Sequence, residues 1–294
     1  MAGAAAATDE PGEVTALRRA ARRIETPCGA GRLVWHEWGE GPPLLLLHGG
    51  SGSWRHWLRI IPRWSDRRRV LVPDLPGLGE SGMPPEPGSI EAVAGVVAAG
   101  LDALIGPEGS CDLVGFSFGA TVAAHTALLL GSRARSVTLV GAGGLVPARR
   151  PMVLEKVRGK AGEALVEAHR TNLGLIMIAD PARIDALALA IQDWNSRHAR
   201  LDTRRYAAEG ALSRALRLLR CRVDAIWGAD DQLAYWGLPE RQAALWALCP
   251  GARIRILPNA GHWVAYEAPE RLDAVLREFL EPHGGSAPES QRKG

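Results

Sequence analysis

Six short apolar runs each stop at a glycine or proline turn, and this repeated pairing constrains the fold of the chain more than any other feature. Leu44 to Leu47 leads into His48-Gly49-Gly50, Val70 to Val72 into Pro73-Asp74, and Leu113-Val114 into Gly115. Val137 to Val140 leads into Gly141, Val223 to Trp227 into Gly228, and Ile254 to Leu257 into Pro258. Strands of a parallel sheet read this way when helices cover both faces, because neither side of the strand meets water. Between the runs, Ile90 to Ile105, Ala120 to Leu130, Leu238 to Leu248 and Pro269 to Leu280 have helical spacing or composition. Strand and helix therefore alternate, which predicts an α/β architecture with a doubly wound, mostly parallel sheet. Right-handed crossovers follow from strand twist, and ligands are expected beyond the carboxyl ends of the strands.

The alternation fails in one place. From 146 to 219 there is no convincing strand, only arginine-rich amphipathic segments around 152–169, 180–194 and 204–218. This stretch is predicted to be a helical cap inserted after the strand that ends at Val140. The expected organisation is a flexible leader at 1–23, a core at 24–145 and 220–281, the cap at 146–219, and a disordered Gly-, Ser- and Pro-rich tail at 282–294. A length of 294 residues with 47% apolar content suffices for one sizeable core.

Charge and cysteine usage narrow the partners. The formal net charge is +3, and the arginines are scattered rather than gathered into a stripe, which argues against nucleic acid. No apolar stretch approaches the roughly 20 residues that cross a bilayer, so no membrane partner is expected. Met1 to Ala7 lacks the basic start and apolar block of a secretory signal, and Arg18 to Arg23 reads as a solvated leader rather than a transit segment. Cys28, Cys111, Cys221 and Cys249 form no Cys-x-x-Cys pair, so they are expected to be reduced thiols in a cytoplasmic protein without a metal site. The expected partner is a small-molecule substrate, no cofactor is predicted, and homo-oligomerisation is left open.

The chemistry concentrates at the run ends. Gly115-Phe116-Ser117-Phe118-Gly119 reads as a nucleophile elbow, a tight strand-to-helix turn that forces a serine out of the sheet. A serine nucleophile needs a base to take its proton, a group to orient that base, and donors for the oxyanion. His262 lies in the loop after Ile254 to Leu257, and Asp230 and Asp231 follow Trp227-Gly228 at the end of the preceding strand. Serine, then aspartate, then histidine is the chain order this sheet requires.

Over roughly Ile24 to Glu281 the chain resembles the α/β-hydrolase fold family. The resemblance rests on the elbow, His48-Gly49-Gly50, Asp74-Leu75-Pro76-Gly77-Leu78-Gly79-Glu80-Ser81, Trp227-Gly228-Ala229-Asp230-Asp231 and Gly261-His262. It implies Ser117 as nucleophile, His262 as general base, and Asp231 as the acid three residues after Gly228, with Asp230 as the alternative. It also implies the backbone N–H groups of Gly50 and Phe118 as oxyanion donors, and a supporting role for His48. Asp74 and Ser81 are expected to hydrogen-bond their own loop. Trp54 and Trp263 are expected in the substrate pocket because they flank the oxyanion loop and the base, whereas Arg197 and Arg200 are expected on a solvated face. The serine disfavours the aspartate-nucleophile branches. The chain looks most like capped esterases and the carbon–carbon bond hydrolases that cleave aromatic ring-fission products. Gly261-His262-Trp263 and Gln192-Asp193-Trp194-Asn195 favour the latter, while Phe116 and Ser51-Gly52-Ser53-Trp54 depart from their pattern. The expected activity is cleavage of an ester or related acyl bond of a partly apolar substrate. Carbon–carbon cleavage is the alternative, and a non-turnover ligand receptor on the same fold is a third reading.

Overall fold

A computed structural model describes residues 10–147, 153–204, 206, 210–234 and 237–281. Eight strands form one sheet: β1 (Arg22–Cys28), β2 (Gly31–Trp38), β3 (Pro43–Leu47), β4 (Arg69–Pro73), β5 (Cys111–Phe116), β6 (Ala134–Val140), β7 (Arg222–Gly228) and β8 (Arg253–Leu257). Their spatial order is β1-β2-β4-β3-β5-β6-β7-β8. β1 and β2 pair antiparallel, β2 pairs antiparallel with β4, and every other neighbouring pair is parallel.

The apolar runs are strands whose successive side chains serve two cores. Leu45 and Leu47 of β3 pack into one buried cluster, and Leu44 and Leu46 into the other, as the two-residue period of a strand requires. Helices α3 (Ile90–Ile105) and α4 (Phe118–Leu130) cover the first face through Val93, Val97, Leu101, Ala120 and Ala124. The other face is closed by α1 (Gly12–Ala20), α2 (Ile61–Trp64) and α10 (Pro269–Leu280), with Val14, Ile61, Leu272 and Leu276 buried there. Helix α8 (Leu238–Leu248) lies between β7 and β8 in the chain and sends Leu245 into the first cluster.

Part of the expected leader is ordered structure. Residues 12–20 form α1, which buries Val14 and accepts a hydrogen bond at the Leu17 carbonyl from Trp38 Nε1 (2.9 Å). Residues 22–28 form an edge strand registered along β2. Its sequence hides this because one face is solvent-exposed and Pro27 interrupts it, both tolerated at an edge. Residues 1–9 and the expected tail at 282–294 lie outside the described residues.

Between β6 and β7, the described residues contain helices α5 (Gly162–Ile176), α6 (Ala186–Arg197) and α7 (Ala211–Leu216) and no strand. Helix α6 starts later than the sequence suggests, at Ala186 rather than 180, because a local cap sets its start. Asp185, rather than Asp180, caps α6 by accepting from Ala188 N at 2.8 Å. Asp180 caps only the short 3₁₀ turn at Pro181–Arg183.

Register gathers the chemistry at one edge of the sheet. Leu47 of β3 lies opposite Gly115 of β5, so the loop opening at His48 runs beside the elbow. Phe116 pairs with Val140 and Gly228 with Leu257, which brings the loops after β6, β7 and β8 to the same edge.

Candidate active site

Ser117 sits at the junction of β5 and α4 with φ 53° and ψ −115°, a backbone conformation that a residue with a β-carbon rarely adopts. The flanking glycines explain how the turn closes. A methyl group added at Gly115 would lie 2.2 Å from the Gly119 carbonyl oxygen, and one added at Gly119 would lie 2.2 Å from the Leu47 carbonyl oxygen. The turn is held by Ser117 N donating to Val140 O at 2.8 Å. Strain of this kind persists only where the surroundings over-determine it.

His262 and Asp231 meet directly. Imidazole Nδ1 lies 2.8 Å from Oδ2 of Asp231, and both side chains are buried. Asp231 Oδ1 accepts from Leu233 N at 2.9 Å, so both carboxylate oxygens are occupied. An ionised carboxylate only accepts, so Nδ1 carries the proton and Nε2 is left as the basic nitrogen. Asp230, the alternative, is half-buried and turns its N–H to Ala260 O (3.0 Å) without meeting the imidazole. Phe116, next to Ser117 in the chain, packs on the imidazole with ring centroids 4.9 Å apart. Among the described residues, Ser117 Oγ has no hydrogen-bond partner.

The loop after β3 completes this edge. Neither Gly50 N–H nor Phe118 N–H has a protein acceptor among the described residues. His48 braces the loop: Nδ1 lies 2.8 Å from Gly49 O, and Nε2 accepts from Leu75 N at 2.8 Å. Burial pushes its imidazole down to about 4, against a weaker opposite effect of the Gly49 carbonyl. His56, for which the sequence offers no role, accepts from Gly49 N at 3.3 Å. Burial, followed by the neighbouring His48 and His262, holds it well below the ordinary histidine range, so this second imidazole is neutral. Asp74 and Ser81 bond within their loop as expected: Asp74 Oδ2 accepts from Glu80 N (2.9 Å) and Ser81 Oγ donates to Asp74 O (2.5 Å). Asp74 Oδ1 also accepts from Trp54 N at 2.8 Å, tying that loop to the one after β3.

Trp54 and Trp263 do not offer surface to a substrate. Both are fully buried: Trp54 packs against His36 and Trp38, and Trp263 stacks on Tyr266 and donates to His56 O at 2.9 Å. They form the walls behind the site. Arg197 and Arg200 are committed elsewhere, Arg197 to Asp193 (3.1 Å) and Arg200 to the Gly79 (3.2 Å) and Ser81 carbonyls.

The insert reaches this edge at several points. Thr203 Oγ1 would lie 2.2 Å from a methyl group placed on Gly50. Ser53 Oγ donates to the buried Asn195 Oδ1 at 2.7 Å. The Arg55 guanidinium lies 3.5 Å from the centroid of Trp194, has Trp54 nearby at 5.0 Å, and pairs with Glu10 at 2.8 Å. Glu267, also missed by sequence reasoning, is fully buried and accepts from Gly261, Ala179 and Asp180 N–H groups. Among the described residues no group of three or more His, Cys, Asp or Glu is placed to hold a metal ion. None of their helices is long and apolar enough to cross a membrane.

This arrangement matches a known family. The pattern of the alpha/beta hydrolase family matches residues 44–275. The chain belongs to that family, and it is an enzyme of the hydrolase type. It is 30% identical over 271 residues to the dihydrolipoyllysine-residue acetyltransferase component of the acetoin cleaving system of Pseudomonas putida, across 86% of this chain and 68% of that protein. It is 32% identical over 267 residues to the pimeloyl-[acyl-carrier protein] methyl ester esterase of Aeromonas hydrophila, across 82% of this chain and 96% of the esterase. Among solved structures, a meta-cleavage product hydrolase from Pseudomonas fluorescens shares the fold with a TM-score of 0.67 and 24% identity, over 87% of this chain and 96% of that one.

Proposed function

We propose that this chain is a serine hydrolase that cleaves an ester or related acyl bond of a small to medium, partly apolar substrate. The observation that carries the reading is the buried His262–Asp231 pair, 2.8 Å apart, at the sheet edge that presents Ser117 on a strained elbow. In the proposed reaction His262 Nε2 takes the Ser117 hydroxyl proton as Oγ bonds to the substrate carbonyl carbon. Asp231 holds the imidazole and stabilises the imidazolium that results. Negative charge on the carbonyl oxygen is met by the N–H groups of Gly50 and Phe118, donors of a kind worth roughly 2.7–4 kcal/mol each when removed singly. The imidazolium then protonates the departing alcohol, leaving an acyl-enzyme. Water attacks that ester with its proton passing to His262, and Ser117 recovers a proton as the acid leaves.

The insert acts as a cap that shields the reacting atoms from water. The methyl ester esterase relative supports an ester as the bond class. The four free thiols fit the reducing compartment expected from the sequence.

A fluorophosphonate probe and a series of p-nitrophenyl esters test the reading. The wild-type chain is expected to label and to turn over, and Ser117→Ala to do neither. Labelling without turnover of any ester would overturn it in favour of a receptor. Loss of the visible absorbance of a vinylogous 1,5-diketone acid, with no ester cleaved, would replace it with carbon–carbon hydrolysis.

A further inference from the structure

The two peptide N–H groups that flank His262 are both anchored toward the insert. Trp263 N donates to Met177 O at 2.7 Å, a direct bond to the residue that caps the C-terminus of α5. Gly261 N donates to Glu267 Oε2 at 2.7 Å, and that carboxylate also accepts from Ala179 N (3.1 Å) and Asp180 N (2.8 Å) of the insert. Glu267 is fully buried in α9 (Val264–Glu267), five residues after the histidine. No arginine or lysine bonds its carboxylate among the described residues, so peptide N–H groups supply its compensation. Its own carbonyl accepts from Arg183 of the insert. The fit is close on the third side as well, since a methyl group on Gly261 would lie 2.7 Å from Ala179 N and 3.0 Å from Glu267 Oε2.

A buried carboxylate with peptide donors from two segments acts as a clamp between them. Charge-assisted bonds of this kind are about twice as strong as neutral ones, and separating the segments would strand a charge away from water. A shift of residues 177–180 would therefore pull on the N–H groups of Gly261 and Trp263, the two residues that flank His262.

We infer that Glu267 is a positioning residue that locks the His262 loop to the insert, so that the seating of the insert sets the geometry of the general base. The inference rests on His262 being that base, as proposed above. Glu267 touches no reacting atom. It acts through the Gly261 N–H, and its effect belongs in kcat rather than in substrate affinity.

The test uses the full chain in three variants. Glu267→Gln replaces one accepting oxygen with an amide that faces an N–H. Asp180→Pro removes one insert-side donor at a residue whose φ of −90° lies near the proline range. Asp180→Ala loses the same side chain but keeps that N–H, and is its control. Glu267→Gln is expected to lower kcat on a p-nitrophenyl ester by about 10- to 100-fold, the scale of a misplaced catalytic group, with KM little changed. Asp180→Pro should reproduce part of the loss, and Asp180→Ala should not. Rates are normalised to sites titrated with fluorophosphonate, so partial unfolding does not imitate the effect.

Hydrogen exchange over residues 259–265 reads the same clamp without turnover, and should rise in Glu267→Gln and Asp180→Pro. Wild-type exchange in that segment in both variants would overturn the inference, as would a Glu267→Gln enzyme with unchanged kcat. Should Glu267→Gln fail to fold, the Asp180 pair decides: equal exchange in the two overturns the clamp. A wild-type chain that neither labels nor turns over defeats the proposed function instead.

Discussion

Nδ1 of His262 lies 2.8 Å from Oδ2 of Asp231, whose carboxylate is sealed from solvent while its neighbour Asp230 is not. Two adjacent aspartates thus have different fates. One orients the imidazole and the other uses its backbone to hold the loop.

That difference is testable by paired substitution. Asp231→Asn keeps the shape but offers an amide to Nδ1, which favours the wrong tautomer, and is expected to lower kcat by about 10⁴-fold. Asp230→Asn is expected to leave turnover unchanged. Ester hydrolysis rates of the two variants check both statements, and equal losses would mean that the buried pair does not orient the base.

Glycine to alanine changes should have opposite signs at two positions. At Gly119 the new methyl group meets the Leu47 carbonyl at 2.2 Å and the His48 carbonyl at 2.5 Å, both backbone atoms that cannot rotate away. Overpacking of this kind typically costs about 1–3 kcal/mol, and the displaced elbow should label poorly. At Gly95, inside α3, nothing lies within 4 Å of the added methyl, so alanine should stabilise by roughly 0.5–1 kcal/mol. Urea unfolding of the two variants measures the contrast.

Acid should destabilise the fold through its buried histidines, above the pH at which ordinary carboxylates titrate. Burial pushes His48 down to about 4, and burial followed by Arg55, Arg23 and Arg18 pushes His36 down to about 3, both from an unfolded value near 6.5. Below that value the unfolded chain binds protons that the native chain refuses. Stability is therefore full above about pH 6.5 and falls through the window down to pH 4, by up to about 1.4 kcal/mol per pH unit for each histidine. Asp74 works in the opposite sense: burial raises it to about 6, against the N–H groups of Glu80 and Trp54, so its contribution improves as pH falls. With His56 and His125 also depressed by burial, four histidines outweigh one aspartate. Urea midpoints at pH 7.5, 6 and 5 should decline, and His36→Phe should flatten the decline, because it removes a depressed imidazole whose ring nitrogens make no hydrogen bond.

At the opposite end of the strands, Asp112 is buried and accepts from Arg68, from Arg135 (2.7 Å) and from Ser136 (2.7 Å). Burial raises its carboxyl, but these partners outweigh that and hold it below the usual aspartate range. Asp112→Ala strands Arg68 in the interior and is expected to cost about 3–5 kcal/mol. It should leave kcat per folded molecule unchanged, because the network lies away from the proposed site. Thermal unfolding together with active-site titration separates the two effects.

The central strands were legible because burial on both faces writes itself into the chain as runs such as Leu44 to Leu47. The helices Ile90–Ile105, Leu238–Leu248 and Pro269–Leu280 were legible to the residue, each with a terminal cap or proline to mark it. The loops of Ser117, His262 and Asp231 were legible because each follows a strand end, and the structure pairs His262 with Asp231. β1 and α1 could not, since an edge strand and a surface helix need only a few buried residues, here Thr26, Cys28 and Val14. Glu267 and His56 carry no local signal. Their partners are peptide groups, and a peptide group has no letter in the sequence. The two tryptophans were misplaced for a related reason: proximity to His262 or Gly50 in the chain says nothing about which way an indole turns.

Arg55 gives the insert a meaning beyond shelter. Its guanidinium is buried between the core's own Trp54 and the insert's Trp194, while Ser53 beside it bonds Asn195. Excising the insert would strip one aromatic plate from Arg55, leaving it with Glu10 and Trp54, and would bare the Trp54 side of the remaining body. A chain nicked within the insert is expected to migrate as one particle until denatured. A foreign lid grafted at this point would have to bring its own aromatic plate for that arginine.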